Sequence, residues 1–361
     1  RGVIISGAYD ELKGLAEKAQ IPVTTTLLGI GSFPQSHVLS LNMLGMHGMA
    51  YANMAVDAAD LIIAIGMRFD DRATARVSDF APHARIIHTD IDPTEIGKNV
   101  RVDVPIVGDV RMVLKELNKG INSQTRVEWV RQVEELRQEH YSTSVRESDA
   151  ILPQFVIRKI YEVTGGDAII VTGVGQNQMW AAQYFCYDKP NSFISSGGLG
   201  TMGFELPAAM GVKVGCPDET VWAIAGDGGF QMTIQELATI VQDNIAIKIA
   251  IIDNGFLGMV RQWQELFYQR KYVATPLSGP NFVKIAEAYG LPGLRVTDKR
   301  EVVPAIERAM DHQGPFLVDF VIEPEENVYP MVPPGAALAE LIEEPKREMV
   351  GGASTLDVSN I

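Results

Sequence analysis

Cysteine is nearly absent. Cys186 and Cys216 are the only two in 361 residues, too few for a disulfide framework, and no His/Cys cluster is spaced for zinc. A chain so poor in cysteine reads as the occupant of a reducing cytoplasm, or of an organelle if the source is eukaryotic. Long apolar runs are missing as well: no stretch of about eighteen apolar residues is present to cross a membrane, and the first residues lack the basic-then-apolar order of a secretion signal. Positive charge is short, with Lys and Arg at 31 against 45 Asp and Glu, a net charge of −14. That balance argues against nucleic acid or an anionic membrane as the main partner, although a local site can still be positive on an acidic protein. Internal repeats and low-complexity tracts are absent, and no Gly-x-Gly-x-x-Gly fingerprint falls where a dinucleotide would need it.

What is present is a soluble globular composition, 46% hydrophobic and 21% charged, in a chain long enough for two domains with their own cores. The most informative stretch runs from Val221 to Met259. Its apolar run Val221–Ala225 predicts a buried strand, broken by Gly226, Asp227, Gly228 and Gly229; a helical pattern with Ile234, Leu237, Ala238 and Val241 on one face follows, then a second buried strand over Ile245–Ile252. That strand ends at Asp253, Asn254 and Gly255. Asp227 and Asn254 therefore close two strands joined by one crossover, 27 positions apart, at the carboxyl ends where open α/β sheets hold ligands. A carboxylate, an amide oxygen and a Gly-flanked backbone carbonyl are hard oxygen donors of the kind Mg²⁺ takes alongside phosphate oxygens. The glycines admit a diphosphate close to the backbone, and the following helix offers its first amides. Taken singly, Gly-Asp-Gly is a tight turn and Asn254 a cap; together at this spacing they resemble the thiamine diphosphate signature.

Taken in order, residues 1–117 alternate short apolar runs with helical patterns and predict a doubly wound parallel sheet. Strands are expected at Val3–Ser6, Val23–Leu27, Leu61–Ile65 and Ile86–Ile91, and helices near 10–20, 50–58 and 110–117. Loops carrying Gly29 and Gly31, Gly45 to Gly48, Gly66 to Arg72, Asp90 to Pro93, and Gly108 with Asp109 follow these elements. On residue type alone His47 is a helix cap, and Arg68 and Arg72 are surface ion-pair partners. Residues 118–150 turn polar and predict a linker: one amphipathic helix with Val127, Val130, Val133 and Leu136, then an exposed connector over Ser142–Ser148. The second α/β domain, 151–325, opens with a helix from Pro153 and a strand over Ala168–Thr172, whose tip is Gly173, Val174, Gly175, Gln176 and Asn177. A glycine-dense segment, Ser195–Gly203, holds Met202, which is either core filler or part of the site. Met259 and Trp263, four apart on one helical face, are ordinarily core, but they adjoin the proposed metal site. In the tail, 326–361, a short helix is expected at 337–342 and loose order over Gly351–Ile361.

At this point the motifs resemble one family over essentially the whole chain: Leu199–Gly203, Asp227 with Asn254, Leu257–Trp263, Tyr329–Gly335, Leu44–Gly48 and Gly66–Arg72 look like the large subunit of acetohydroxyacid synthase, also called acetolactate synthase. The resemblance implies two doubly wound α/β domains, a central flavin-binding one and a thiamine diphosphate-binding one. It implies decarboxylation of pyruvate and ligation of the two-carbon fragment to a second 2-oxo acid, early in branched-chain amino acid synthesis. Thiamine diphosphate, Mg²⁺ and FAD are the implied cofactors, the flavin in a structural role.

By the same resemblance, Asp227 and Asn254 hold Mg²⁺ by side chain and Phe256 by carbonyl. Gly175, Gln176, Asn177, Gly200, Gly226, Gly228, Gly229, Leu257 and Gly258 belong to the cofactor site, and Met202 holds the cofactor bent. Met259 and Trp263 line the substrate pocket, with Trp263 favouring 2-oxobutyrate, and Arg72 meets a substrate carboxylate. Thr26, Leu27, Met46, His47, Gly66, Arg68, Asp70, Arg72, Asp90, Ile91, Asp109 and Val110 belong to the FAD site. The implied partners are 2-oxo acids, a second copy of the chain in a dimer or tetramer, and a small regulatory subunit.

The sequence departs from the family in three places. Asn177 stands where the family usually has His, and Ser6–Asp10 is shorter than the family's glycine-rich loop. No residue matches the first domain, whose glutamate protonates the aminopyrimidine, so that domain is expected in cis or in trans. The rival readings are a non-catalytic module that keeps the FAD and diphosphate sites, and another flavin-containing thiamine enzyme such as a pyruvate oxidase.

Overall fold

The structure, a computed structural model, describes residues 1–140 and 144–345. Part of the expected connector, residues 142–143, and the whole of Gly351–Ile361 lie outside the described residues. Among the described residues no helix is long and apolar enough to cross a membrane.

The first domain is built of α1 (Gly2–Ser6), α2 (Tyr9–Ala19), β1 (Val23–Thr25), β2 (Ser40–Met43), α3 (Ala50–Ala58), β3 (Leu61–Ile65), α4 (Asp71–Thr74), β4 (Arg85–Asp90), β5 (Val104–Val107) and α5 (Val110–Gly120). Its strands are all parallel, in a β1–β2 pair and a β3–β4–β5 sheet. The free edges of β1 and β3 both line an apolar cavity of about 320 Å³. The strand expected at Val3–Ser6 is instead the short helix α1. Gly7, in the left-handed conformation at φ 62°, closes it, with Gly7 and Ala8 N–H donating to the Ile4 and Val3 carbonyls, and those end bonds satisfy the backbone that a sheet would otherwise have to pair. β5 contains Pro105, which is tolerated because β5 is an edge strand, paired only with β4.

α6 (Val127–Glu139) is the amphipathic helix the pattern predicts. It lies on α3, with Val133 buried in one apolar cluster with Tyr51, Ala52 and Val56, and Arg137 stands over the Tyr51 ring and donates to the Ser40 carbonyl. The stretch between the domains is thus packed down on the first of them.

The second domain comprises α7 (Pro153–Thr164), β6 (Ile169–Thr172), α8 (Gln176–Tyr184), β7 (Phe193–Ser195), α9 (Glu205–Gly215), β8 (Val221–Gly226), α10 (Asp227–Met232), α11 (Leu237–Gln242), β9 (Lys248–Asp253), α12 (Gly258–Phe267), α13 (Phe282–Ala288), β10 (Gly293–Val296), α14 (Val302–Asp311) and β11 (Phe316–Val321). Six parallel strands run in the order β10-β11-β9-β8-β6-β7. Both faces are covered, and the strand residues alternate between two apolar layers. Trp222, Ile224, Ala250, Ile252 and Phe320 pack with α7, α8 and α14; Val221, Ala223, Ala225, Ile249 and Ile251 pack with α9, α10, α11 and α13. Each fully buried Ile or Val contributes about 1.5–3 kcal/mol, so this sheet is the rigid platform of the molecule. From β6 the chain crosses to β7 on one side; from β8 it crosses to β9 on the other. The order reverses between β6 and β8, and a crevice opens at their carboxyl ends.

The tail folds back without the helix expected at 337–342. Met331 and Ile342 instead form an isolated antiparallel bridge, each N–H donating to the other's carbonyl. Pro333, Pro334 and Gly335 turn the chain there and leave too few residues to nucleate a helix.

Candidate active site

Three turns leave the carboxyl ends of β6, β8 and β9 and meet in one cavity of about 100 Å³. Its walls include Gly175, Gln176 and Asn177 after β6, Gly226 to Gly229 after β8, and Asn254 and Phe256 to Val260 after β9, with Met202 and Trp180 completing them. Asp227 and Asn254, distant in sequence, therefore face a common space. The Asp227 carboxyl is buried and accepts the Gly228 N–H at 2.9 Å. Burial and the nearby Asp253 carboxylate push its pKa up to about 7. A desolvated acid with no cation beside it is the environment that a divalent ion would relieve.

Asn254 is oriented by its own loop. Its Oδ1 accepts the Phe256 N–H at 3.0 Å, and its Nδ2 donates to Gln176 Oε1 at 3.1 Å. Gln176 continues the chain of buried amides: its Nε2 donates to Gln262 Oε1 and to the Glu326 carbonyl, both at 3.0 Å. Gln262 then pairs with the Val328 backbone, its Nε2 donating to the Val328 carbonyl and its Oε1 accepting the Val328 N–H. Residues of the turn after β9, of α8, of α12 and of the tail are locked into one network, so the amide oxygen of Asn254 has a fixed position. Asn177, where the family resemblance leads one to expect His, donates to the Ile224 carbonyl at 2.9 Å.

The cavity floor depends on missing side chains. A Cβ on Gly258 would lie 2.1 Å from Gln176 Oε1, and one on Gly228 would lie 3.0 Å from Leu257 and 3.6 Å from the Met202 methyl. The space those atoms would fill is the cradle a diphosphate needs, beside the first amides of α8 and α10. Residues, donors and space fit a Mg²⁺-diphosphate group.

The expected set does not all converge. Gly200 is exposed and, like Trp263, does not line this cavity. Trp263 sits one turn beyond Met259 on α12, half-buried, with its ring 5.6 Å from that of Phe267. The face of α12 that goes inside carries Arg261 and Gln262, polar residues whose partners include Glu326, Asn327 and Val328 in the tail. Nothing local in the sequence marks them as buried, because a polar pair on an amphipathic helix reads as solvent-facing.

The residues expected to meet FAD lie in the first domain, where they follow the carboxyl ends of parallel strands: Thr26 and Leu27 after β1, Met46 and His47 after β2, Gly66 after β3, Asp90 and Ile91 at the end of β4, Asp109 and Val110 after β5. Arg68 pairs with Asp70 at 3.4 Å, and Arg72 Nη1 reaches Met46 Sδ at 3.5 Å. Two members have other work. The Asp109 carboxylate caps α5 by accepting the Arg111 and Met112 N–H groups, and Val110 is buried in the core against Leu114, so these two offer a ligand their backbone only.

His47 is buried rather than a cap. Its Nδ1–H donates to the Pro330 carbonyl at 3.4 Å, and its own carbonyl accepts from Gln183 Nε2 at 2.9 Å. Burial lowers its pKa to about 4. The unfolded chain takes up that proton near the ordinary histidine value and the folded one does not, so stability should be lost as pH falls from about 6.5 to 4, by up to roughly 3 kcal/mol. His47→Gln should remove most of that acid sensitivity, which urea unfolding at pH 7 and 4.5 would measure; equal losses in both proteins would assign it elsewhere.

Comparison with known proteins agrees with this geometry. Residues 173–320 match the family described as thiamine pyrophosphate enzyme, C-terminal TPP binding domain, and residues 1–117 match thiamine pyrophosphate enzyme, central domain. The acetolactate synthase large subunit of Corynebacterium glutamicum is 48% identical over 94% of this chain and 56% of its own length. The acetolactate synthase of Mycobacterium bovis is 48% identical over 94% of this chain and 57% of its own length. The chloroplastic acetolactate synthase 1 of Nicotiana tabacum is 45% identical over 94% and 53%. The chain thus spans little more than half the length of these relatives. The second matched stretch begins at Gly173, where the first of the three turns leaves β6, and takes in all three; the chain belongs to the thiamine pyrophosphate enzymes, of which it carries the central domain and the C-terminal TPP-binding domain.

Proposed function

We propose that this chain carries the thiamine diphosphate and FAD sites of an acetolactate synthase, which decarboxylates pyruvate and joins the two-carbon fragment to pyruvate or 2-oxobutyrate in branched-chain amino acid biosynthesis. The observation that supports this reading is the common cavity of Asp227, Asn254 and the glycine turns at the strand-order reversal. Asp227 and Asn254 bind Mg²⁺ by side chain and Phe256 by its carbonyl. Gly175, Gln176, Gly228 and Gly229 receive the diphosphate, and Met202, whose methyl stands over Gly228, orients the rest of the cofactor. When bound, thiamine diphosphate supplies the electron sink that lets a 2-oxo acid lose carbon dioxide. Met259 and Trp263 shape the acceptor site and Arg72 takes a substrate carboxylate. FAD is held structurally along the strand ends of the first domain. The remaining length of the relatives supplies the other wall of the active site, the protein works as a homo-oligomer with a small regulatory subunit, and its place is the cytoplasm or a plant-type organelle.

The test is calorimetry with FAD and with Mg²⁺ plus thiamine diphosphate, alongside acetolactate assays of the chain alone and with the remaining part of a relative added, fused or in trans. Binding of both cofactors and acetolactate only after addition is expected. Binding without rescue would mark a non-catalytic module, and acetyl phosphate or peroxide in place of acetolactate would mark a flavin-containing oxidase. In the complemented enzyme, Trp263→Leu should keep acetolactate formation and lose about tenfold in preference for 2-oxobutyrate; an unchanged product ratio would remove Trp263 from that role.

A further inference from the structure

Behind the cavity wall stands an acidic side chain that the proposed chemistry does not use. Glu205 opens α9, is 0% exposed, and its carboxyl oxygens make no hydrogen bond of good geometry, with only the Gly203 and Glu205 backbone N–H groups turned toward them. Its Oε2 lies 2.4 Å from where a Cβ on Gly173 would be, and its Oε1 lies 3.0 Å from where one on Gly229 would be. The carboxyl is therefore wedged between the turn leaving β6 and the first turn of α10, and it fits only because both neighbours are glycine. Gly229 lines the cavity, and Gly173 begins the turn whose next residues do so.

The surroundings offer no counter-charge. β6, β8, the Gly173–Gly175 turn and the segment from Ser195 to Phe204 carry no titratable side chain; α10 carries only Asp227, the turn Ile234–Glu236 packed on α9 carries Glu236, and α9 itself carries Lys213 in its last turn. An ionised carboxylate here would be buried without a cation, faced only by the Gly203 and Glu205 backbone N–H groups, which offset its desolvation in part, and proteins avoid that state by keeping the proton. Burial accordingly holds the Glu205 pKa up, to about 7. A protonated carboxyl has one O–H to donate and oxygen lone pairs to accept, so a small adjustment lets it bridge a carbonyl of one turn and an N–H of another.

We propose that Glu205 is a positioning residue of the thiamine diphosphate site: as a neutral acid it ties the turn after β6 to the Gly-Asp-Gly-Gly turn and fixes the spacing of the two glycine walls. The identity of the ligand rests on the function proposed above, whereas the tie between the turns is a property of this chain without any cofactor.

Two sets of measurements separate these. In the cofactor-free chain, hydrogen exchange of the segments 173–177 and 226–232 is compared among wild type, E205Q and E205A at pH 6 and 8.5. E205Q, which cannot ionise, should match wild type at pH 6 and be protected about tenfold more at pH 8.5, while E205A should be less protected than wild type at pH 6 and insensitive to the change. A raised carboxyl pKa means stability present in acid and lost as pH rises from about 4.5 to 7, so E205Q should melt with wild type at pH 5 and about 5 °C above it at pH 8. If either variant keeps the wild-type dependence on pH, Glu205 is not the tie. Calorimetry with Mg²⁺ and thiamine diphosphate should show affinity falling between pH 6.5 and 8.5 about tenfold more in wild type than in E205Q. An exchange difference in a chain that binds no thiamine diphosphate would overturn the assignment of the ligand; binding with no difference between the two proteins would overturn the positioning role.

Discussion

Asp227→Asn should weaken Mg²⁺-dependent thiamine diphosphate binding by at least about 100-fold and, in the same protein, raise the stability of the metal-free chain by about 2 kcal/mol. The two effects have one cause. Asp227 is buried, its pKa is raised to about 7 by burial and by Asp253, and above that pH an uncompensated carboxylate is held inside at a cost that folding must absorb. The neutral amide removes the cost and, with it, the charge that would grip the ion. Neighbouring carboxyls sharpen the point: Asp253 and Asp319 both lie 3.6 Å from Arg295, so that guanidinium is already shared by two other carboxylates. Calorimetry and thermal melts in chelator read the two quantities separately. Wild-type affinity in Asp227→Asn would sink the metal assignment, and a destabilised metal-free chain would sink the account of why Asp227 is strained.

Arg261→Met is expected to destabilise the chain by about 3–5 kcal/mol, the largest effect on stability of any substitution considered. Arg261 is 0% exposed. Its guanidinium holds Glu265 at 2.5 Å, the Asn327 side chain at 2.5 Å and the Glu326 carbonyl at 3.1 Å, and it stands 6.0 Å from the ring centres of Phe256 and Tyr272. Methionine fills much of the volume but leaves those acceptors facing apolar atoms, with Arg270 as the remaining cation on Glu265. Because Glu326 also receives Gln176 Nε2, loosening the tail there should reach Asn254 through the amide chain. The prediction is checked by urea unfolding, with loss of protection at residues 254–262 in hydrogen exchange as its second sign. A change under about 1 kcal/mol would show that the network is dispensable.

Those two residues illustrate where sequence reasoning works and where it stops. Asp227 was legible because its signal is local: an apolar run, a glycine break and a polar tip, repeated one crossover later at Asn254. Its meaning came from the pairing of two such signals at strand ends. Arg261 was not legible, because a guanidinium on a helix is solvent-facing unless something waits for it, and what waits here is Glu326 and Asn327, sixty-five and sixty-six positions on. Glu205 escaped for the same reason, since the space it fills is defined by glycines of two other turns. Asp319, also buried, sits inside the otherwise apolar strand β11, and nothing local signals that a lone acid there faces inward.

The boundary follows from range. Period-2 and period-3.6 patterning, glycine turns and terminal polar residues act over a few residues, so the amino-acid sequence by itself determined the α/β class, the second-domain strands β6, β8 and β9, the helices α2, α3, α5, α6, α7, α11 and α12, and the pairing of Asp227 with Asn254. Strand order, the reversal between β6 and β8, the helical state of residues 2–6, the inward face of α12 and the neutral environment of Glu205 depend on which distant segment arrives to bury or pair a group. The sign of a buried polar residue's contribution is set by that arrival, through desolvation and the hydrogen bonds that offset it, and only the tertiary structure decides it.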